Sequence, residues 1–138
     1  MIDLNTTLIV AYCVVRGDDF HPSRLLNLPD IHFNGRHDPG ELRTKGPRKG
    51  QPFSRGNCYL EPPPDFTGDK ISWVADFIAR NKAMLRKAGG TQILMWIDWY
   101  GIQGNMEYTV EQLQKLAAMG VPLAVDYIYQ KPDQEPFS

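Results

Sequence analysis

The stretch from Lys70 to Ala88 constrains the fold more than any other part of the chain. Ile71, Val74, Phe77, Ile78, Leu85 and Ala88 recur at three- and four-residue steps, which lines them along one side of an α-helix. Asp69 stands where an N-cap belongs, and Gly89-Gly90 where a helix stops. An apolar stripe of this kind must be buried against a second layer. Its neighbours supply one. Leu8 to Val15 is a continuous apolar run rich in β-branched residues, too short for a typical helix and suited to a strand covered on both faces. Thr91 to Tyr100 has the aromatic and β-branched content of a strand and ends at Gly101.

The remaining elements follow from local signals. Pro22 fits the first position of a short helix through Leu26, because its missing N–H would be unpaired there anyway, and Pro29 limits that helix to about two turns. Asn57 to Leu60 is a short strand stopped by Pro62-Pro63-Pro64, which favours an edge or a strand end. Thr109-Val-Glu-Gln112 forms a capping box for a helix through Met119, with Gly120 as its terminator and Pro122 beyond. Leu123 to Tyr129 is the last strand. The order β-α-β-α-β-α-β predicts an α/β sandwich of ferredoxin-like type, about four strands with helices mainly on one face. The unit from Ile93 to Tyr129 is expected to pair its strands in parallel through a right-handed crossover. At 138 residues, residues 1–130 make one domain able to bury roughly two thirds of its unfolded surface, and 131–138 form a polar tail.

Between Phe33 and Gly56 the periodicity vanishes, and glycines and prolines interrupt any regular element. The reading is a long loop, 33–56. Its charge is lopsided: Arg36, Arg43, Lys45, Arg48, Lys49 and Arg55 against Asp38 and Glu41 leave a local +4, while the chain as a whole carries −1 and its remainder therefore −5. Loops of this length without structure of their own are usually functional or disordered.

Several function classes recede. The start carries no basic n-region, and the run from Leu8 to Val15 falls far short of the ~20 residues that span a bilayer, so a soluble, cytoplasmic protein is expected. Cys13 and Cys58 are expected to be free thiols in a reducing compartment. A net charge of −1 disfavours a dedicated nucleic-acid binder.

Candidate chemistry sits on two strands. Period-two alternation places Ile93, Met95, Ile97 and Trp99 on one face and Leu94, Trp96, Asp98 and Tyr100 on the other. In the last strand Leu123, Val125, Tyr127 and Tyr129 oppose Ala124, Asp126 and Ile128. Asp98 and Asp126 on one helix-free face could act as acid and base or hold a divalent cation, or simply keep that face soluble. Trp96, Trp99 and Tyr100 invite comparison with sheets that stack RNA bases, against which core packing is the plainer role. His32, His37 and Asp38 do not reach the four paired ligands of structural zinc. No Ser/His/Asp arrangement, Walker motif or dinucleotide fingerprint occurs in its required context, and no cofactor or metal is expected.

Four segments carry a resemblance: Gly17-Asp-Asp-Phe-His-Pro-Ser-Arg-Leu-Leu26, the Gly-rich basic linker leading to Cys58-Tyr-Leu60, the strand from Ile93 to Gly101, and Leu116-Ala-Ala-Met-Gly-Val-Pro-Leu-Ala-Val-Asp-Tyr-Ile-Tyr129. Together they resemble an uncharacterised bacterial domain family known as domain of unknown function number 4279. Tyr59 stands where that family tends to have Trp, and Asp126 matches one acid of its closing motif while Ala124 replaces the other. The resemblance implies a bacterial or phage protein and is compatible with an immunity protein that neutralises a toxin. The expectation is thus a protein-binding module whose contact surface comprises Arg43, Lys45, Arg48 and Lys49 of the basic loop with Trp96, Asp98, Tyr100 and Asp126 of the sheet. The alternatives are a small-molecule enzyme using Asp98 and Asp126, and a weak nucleic-acid binder through the loop.

Overall fold

A computed structural model describes residues 8–28, 32–101 and 106–129. Five strands form one mixed sheet: β1 (Leu8–Gly17), β2 (His32–His37), β3 (Gly56–Glu61), β4 (Gln92–Gly101) and β5 (Leu123–Tyr129), in the spatial order β2-β3-β1-β4-β5. Two helices, α1 (Lys70–Lys87) and α2 (Val110–Ala118), accompany them. β1 pairs antiparallel with β3 and β4, β2 pairs antiparallel with β3, and β4 pairs parallel with β5.

The four-stranded ferredoxin-like order is therefore corrected in two places. Pro22–Leu25 is a single 3-10 turn, entered by His21 without a side-chain cap. So short a segment recovers too few hydrogen bonds to offset helix nucleation. His32–His37, expected inside a long loop, is the edge strand β2. Its exposed, polar residues and Gly35 give no alternating pattern, and its existence rests on hydrogen bonds to β3, with a register irregularity between Phe33 and Arg36. The rest of the supposed loop is also ordered by backbone bonds. Gly40 and Phe53, Arg43 and Gln51, and Gly50 and Arg43 are joined at 2.8 to 2.9 Å, so residues 40–53 make a hairpin-like excursion from the β2 end of the sheet. The asserted strand at Asn57–Leu60 is interior, flanked by β2 and β1, with the prolines just past its end. The tail 131–138 lies outside the described residues.

The helices cover one face. Ala11, Cys13 and Val15 of β1, Cys58 and Leu60 of β3, and Ile93, Met95, Ile97 and Trp99 of β4 share a buried cluster with Ile71, Val74, Ala75, Phe77, Ile78 and Leu85 of α1 and Leu116 of α2. Burial pushes the Cys58 thiol up to about 12 and raises that of Cys13 as well, which makes both unreactive core groups. Asp69 caps α1 through Ser72, and the predicted Thr109–Gln112 capping box is present at α2. The helices are tied together by Lys115 to Asp76 at 3.0 Å and by Lys82 to the Met119 carbonyl at 3.0 Å.

The 18–21 turn crosses the end of the sheet at close range, and two glycines make that approach possible. A Cβ on Gly56 would lie 1.6 Å from the Phe20 carbonyl oxygen, and one on Gly89 would lie 2.4 Å from that of Asp19. Phe20 itself is fully buried. Gly56→Ala is expected to cost about 3 kcal/mol or more, because backbone must move, whereas Gly46→Ala, at φ +81° with open space around it, should cost about 1 kcal/mol. Urea midpoints of the two variants check the contrast.

Candidate functional site

The face of the sheet opposite the helices is made by the residues that alternate with the core set. Cross-strand register places Tyr12 opposite Trp96, Val10 opposite Asp98, Val14 opposite both Leu94 and Tyr59, and Arg16 opposite Asn57. On the other side of β4, Asp98 is the parallel partner of Asp126. Strand pairing thus brings Trp96, Asp98 and Tyr100 together with Tyr12 and Tyr59, residues 86 and 39 positions away from Asp98.

Asp98 is the polar centre of this face. Its carboxylate accepts from the Trp96 indole N–H at 2.8 Å and from the Tyr12 hydroxyl at 3.4 Å. Burial raises its pKa above the ordinary carboxylate range, the two donors oppose that shift, and Asp126 adds to it. Tyr12 is raised in turn by burial and by the adjacent Asp98 charge. Tyr12 and Tyr59 meet edge to face at 5.8 Å. A recess of about 460 Å³ opens here, lined by Val10, Tyr12, Asn34, Tyr59, Asp98 and Tyr100. Both oxygens of Asp98 already accept hydrogen bonds, so the paired-acid reading gains a neighbour in Asp126 but no third ligand. Among the described residues no three His, Cys, Asp or Glu side chains converge to hold a metal.

Next to it lies a second recess of about 410 Å³, sharing the Tyr59 wall. Arg16 of β1, Arg43 and Arg48 of the excursion and Arg55 before β3 line it, with His37, Phe53, Ser54 and Asn57. No carboxylate belongs to this lining, and among the described residues none of the four arginines forms a salt bridge. Two of them are held in place. Arg16 donates from Nε to Asn57 Oδ1 at 2.9 Å, and Arg43 lies 4.3 Å above the Phe53 ring, which stacks in turn on His37 at 3.5 Å. The Arg43 Nε is buried and has no hydrogen-bond partner among the described residues. Burial, with the Arg43 charge beside it, holds the His37 imidazole below its ordinary pKa, although Glu41 and Asp38 pull the other way. Asp38 is engaged elsewhere, accepting from the Ser23 hydroxyl and backbone N–H.

Of the residues expected from the sequence, Arg43 and Arg48 line the arginine recess, and Asp98 and Tyr100 line the aromatic one. Trp96 supports Asp98 from beside it. Lys45 and Lys49 stand exposed on the excursion, outside the lining of either recess, and Asp126 sits on the edge strand β5. Sequence reasoning missed Arg16, Asn57, Tyr12 and Tyr59, counted Arg55 only within the basic stretch, and weighed His37 only as a metal ligand. The only local trace of Arg16 and Asn57 is a polar residue at the end of each apolar strand, and their meeting depends on the β1–β3 register.

No described helix is long and apolar enough to cross a membrane. Comparison with protein-family models matched none, and searches of curated proteins and of solved structures returned no match.

Asp98 supplies a pH signature. A carboxyl whose pKa is raised on folding adds stability below its unfolded pKa that is lost as the pH rises through the folded value. Asp98→Asn keeps an acceptor for Trp96 and removes the charge. Its melting temperature is expected to exceed that of the parent at neutral pH, with the gap closing as the pH falls below the carboxylate range. A gap of opposite sign at pH 7 would show that the ionised form is the one the fold favours.

Proposed function

We propose that the chain is a protein-binding module whose partner lies across the helix-free sheet face, with acidic groups of the partner meeting the basic excursion. The observation that carries this reading is the pairing of partly exposed Trp96, Tyr12, Tyr59 and Tyr100 with a rim of arginines free of carboxylate partners among the described residues. Tyr, Trp and Arg are the side chains that most often dominate interface energy, because they bury a large rigid area and still offer a polar tip or a planar charge. The Arg36 to Arg55 stretch carries +4 in a chain otherwise at −5, so an acidic partner is steered to this side and repelled from the rest. An immunity protein neutralising a toxin, a role with which the resemblance to the 4279 family is compatible, is one form of this reading; a toxin gene adjacent to that of the chain would favour it.

The test begins with a pull-down from the native host and continues with variants. Trp96→Ala should leave the melting temperature within a few degrees of the parent, since the side chain is only half-buried, while weakening the recovered partner by about 2 kcal/mol. Replacing Arg43, Lys45, Arg48 and Lys49 with Ser should slow association and flatten the salt dependence of the on-rate. A Trp96→Ala protein that binds normally but has lost ~3–5 kcal/mol of stability would assign that residue to packing and defeat the proposal.

A further inference from the structure

We infer that the arginine recess beside β1 binds the phosphoryl group of a small phosphate ester, with a planar ring of the same ligand lying along Tyr59 toward the Asp98 recess. Four arginines line one cavity of about 410 Å³ with no carboxylate in its lining. Like charges gathered in this way repel one another, so the arrangement is relieved when an anion enters. The number of cations selects the anion. One guanidinium fork matches one carboxylate, whereas a phosphomonoester presents three terminal oxygens, each accepting more than one hydrogen bond, and close to two negative charges.

Preorganisation points the same way. Arg16 is fixed by Asn57, and Arg43 by its place in the layered stack with Phe53 and His37, so neither has much rotamer freedom left to lose on binding. Tyr59 is a wall of both recesses, so a ligand held by its phosphate in one has an aromatic face leading into the other, where Asn34 and the Asp98 carboxylate offer polar ends. The chain outside the Arg36 to Arg55 stretch is net acidic, which favours a small dianion over an extended polyanion.

This inference is independent of the protein partner, and its test uses the isolated chain. Titration calorimetry or amide chemical-shift perturbation would compare inorganic phosphate, adenosine, adenosine monophosphate, and single-stranded RNA of increasing length. Adenosine monophosphate is expected to bind about tenfold or more tighter than inorganic phosphate, and adenosine to bind far more weakly than either. Arg16→Gln and Arg43→Gln should each weaken the monophosphate about tenfold or more, while Lys45→Gln with Lys49→Gln, which removes as much charge as both together, leaves it nearly unchanged. Three results would each overturn the assignment: phosphate and its ester binding equally, the lysine pair mattering as much as the arginines, or RNA affinity growing with length and falling steeply with salt. Circular dichroism of Arg16→Gln and Arg43→Gln guards against reading a folding defect as lost binding; Arg48→Gln, at an exposed position, gives the same comparison with no core contact at stake.

Discussion

β1 is hydrogen-bonded along both edges, to β3 over Cys13–Gly17 and to β4 over Leu8–Arg16, and the rest of the molecule depends on that central position. A strand so placed must present its alternate residues to two different environments. Ala11, Cys13 and Val15 go to the helix side, where α1 lays down its apolar stripe. Val10, Tyr12, Val14 and Arg16 are left on the other side, and Asn57, Tyr59, Trp96, Asp98 and Tyr100 are arranged around them through the β1–β3 and β1–β4 registers. A slip of one residue would exchange the two sets. The burial of the core set therefore also positions the open face.

The same constraint explains why the charges lie where they do. The helices use part of their polar sides to hold one another, through Lys115 with Asp76 and through Gln112 with Asp69, so those charges are paired in the α1–α2 seam. The β2–β3 excursion has no such seam. It is closed by backbone hydrogen bonds and by the Arg43–Phe53–His37 stack, which orders the segment without spending its guanidinium groups on carboxylates. Order without neutralisation is the physical condition for a cationic recess. In the neighbouring aromatic recess the condition is reversed: Asp98 is retained as a partly desolvated acid by donors from Trp96 and Tyr12.

What was legible from sequence was whatever depends on near neighbours in the chain. The span and both ends of α1, the capping box of α2, the core face of β4 and the parallel pairing across α2 all follow from spacings of two to four residues or from a connection length. Two elements were misread for the opposite reason. β2 has no apolar alternation because it is an exposed edge, so its strand character comes from β3, 20 to 29 residues later. The Pro22 segment has a good first residue for a helix and too little chain to continue one.

The candidate site divides along the same line. Sequence alone determined the excess of arginine and lysine in the Arg36 to Arg55 stretch, and the alternation that puts Trp96, Asp98 and Tyr100 on one face of a strand, because both are counts along the chain. Only the tertiary structure decided which cations share a cavity. Arg43 and Arg48 turn toward Arg16 and Arg55 while Lys45 and Lys49 remain outside, and Tyr59 comes to stand between the arginines and Asp98. Those choices are set by antiparallel pairing between segments about 40 to 90 residues apart and by a stack that fixes one guanidinium, interactions whose energy exists only once the strands have met.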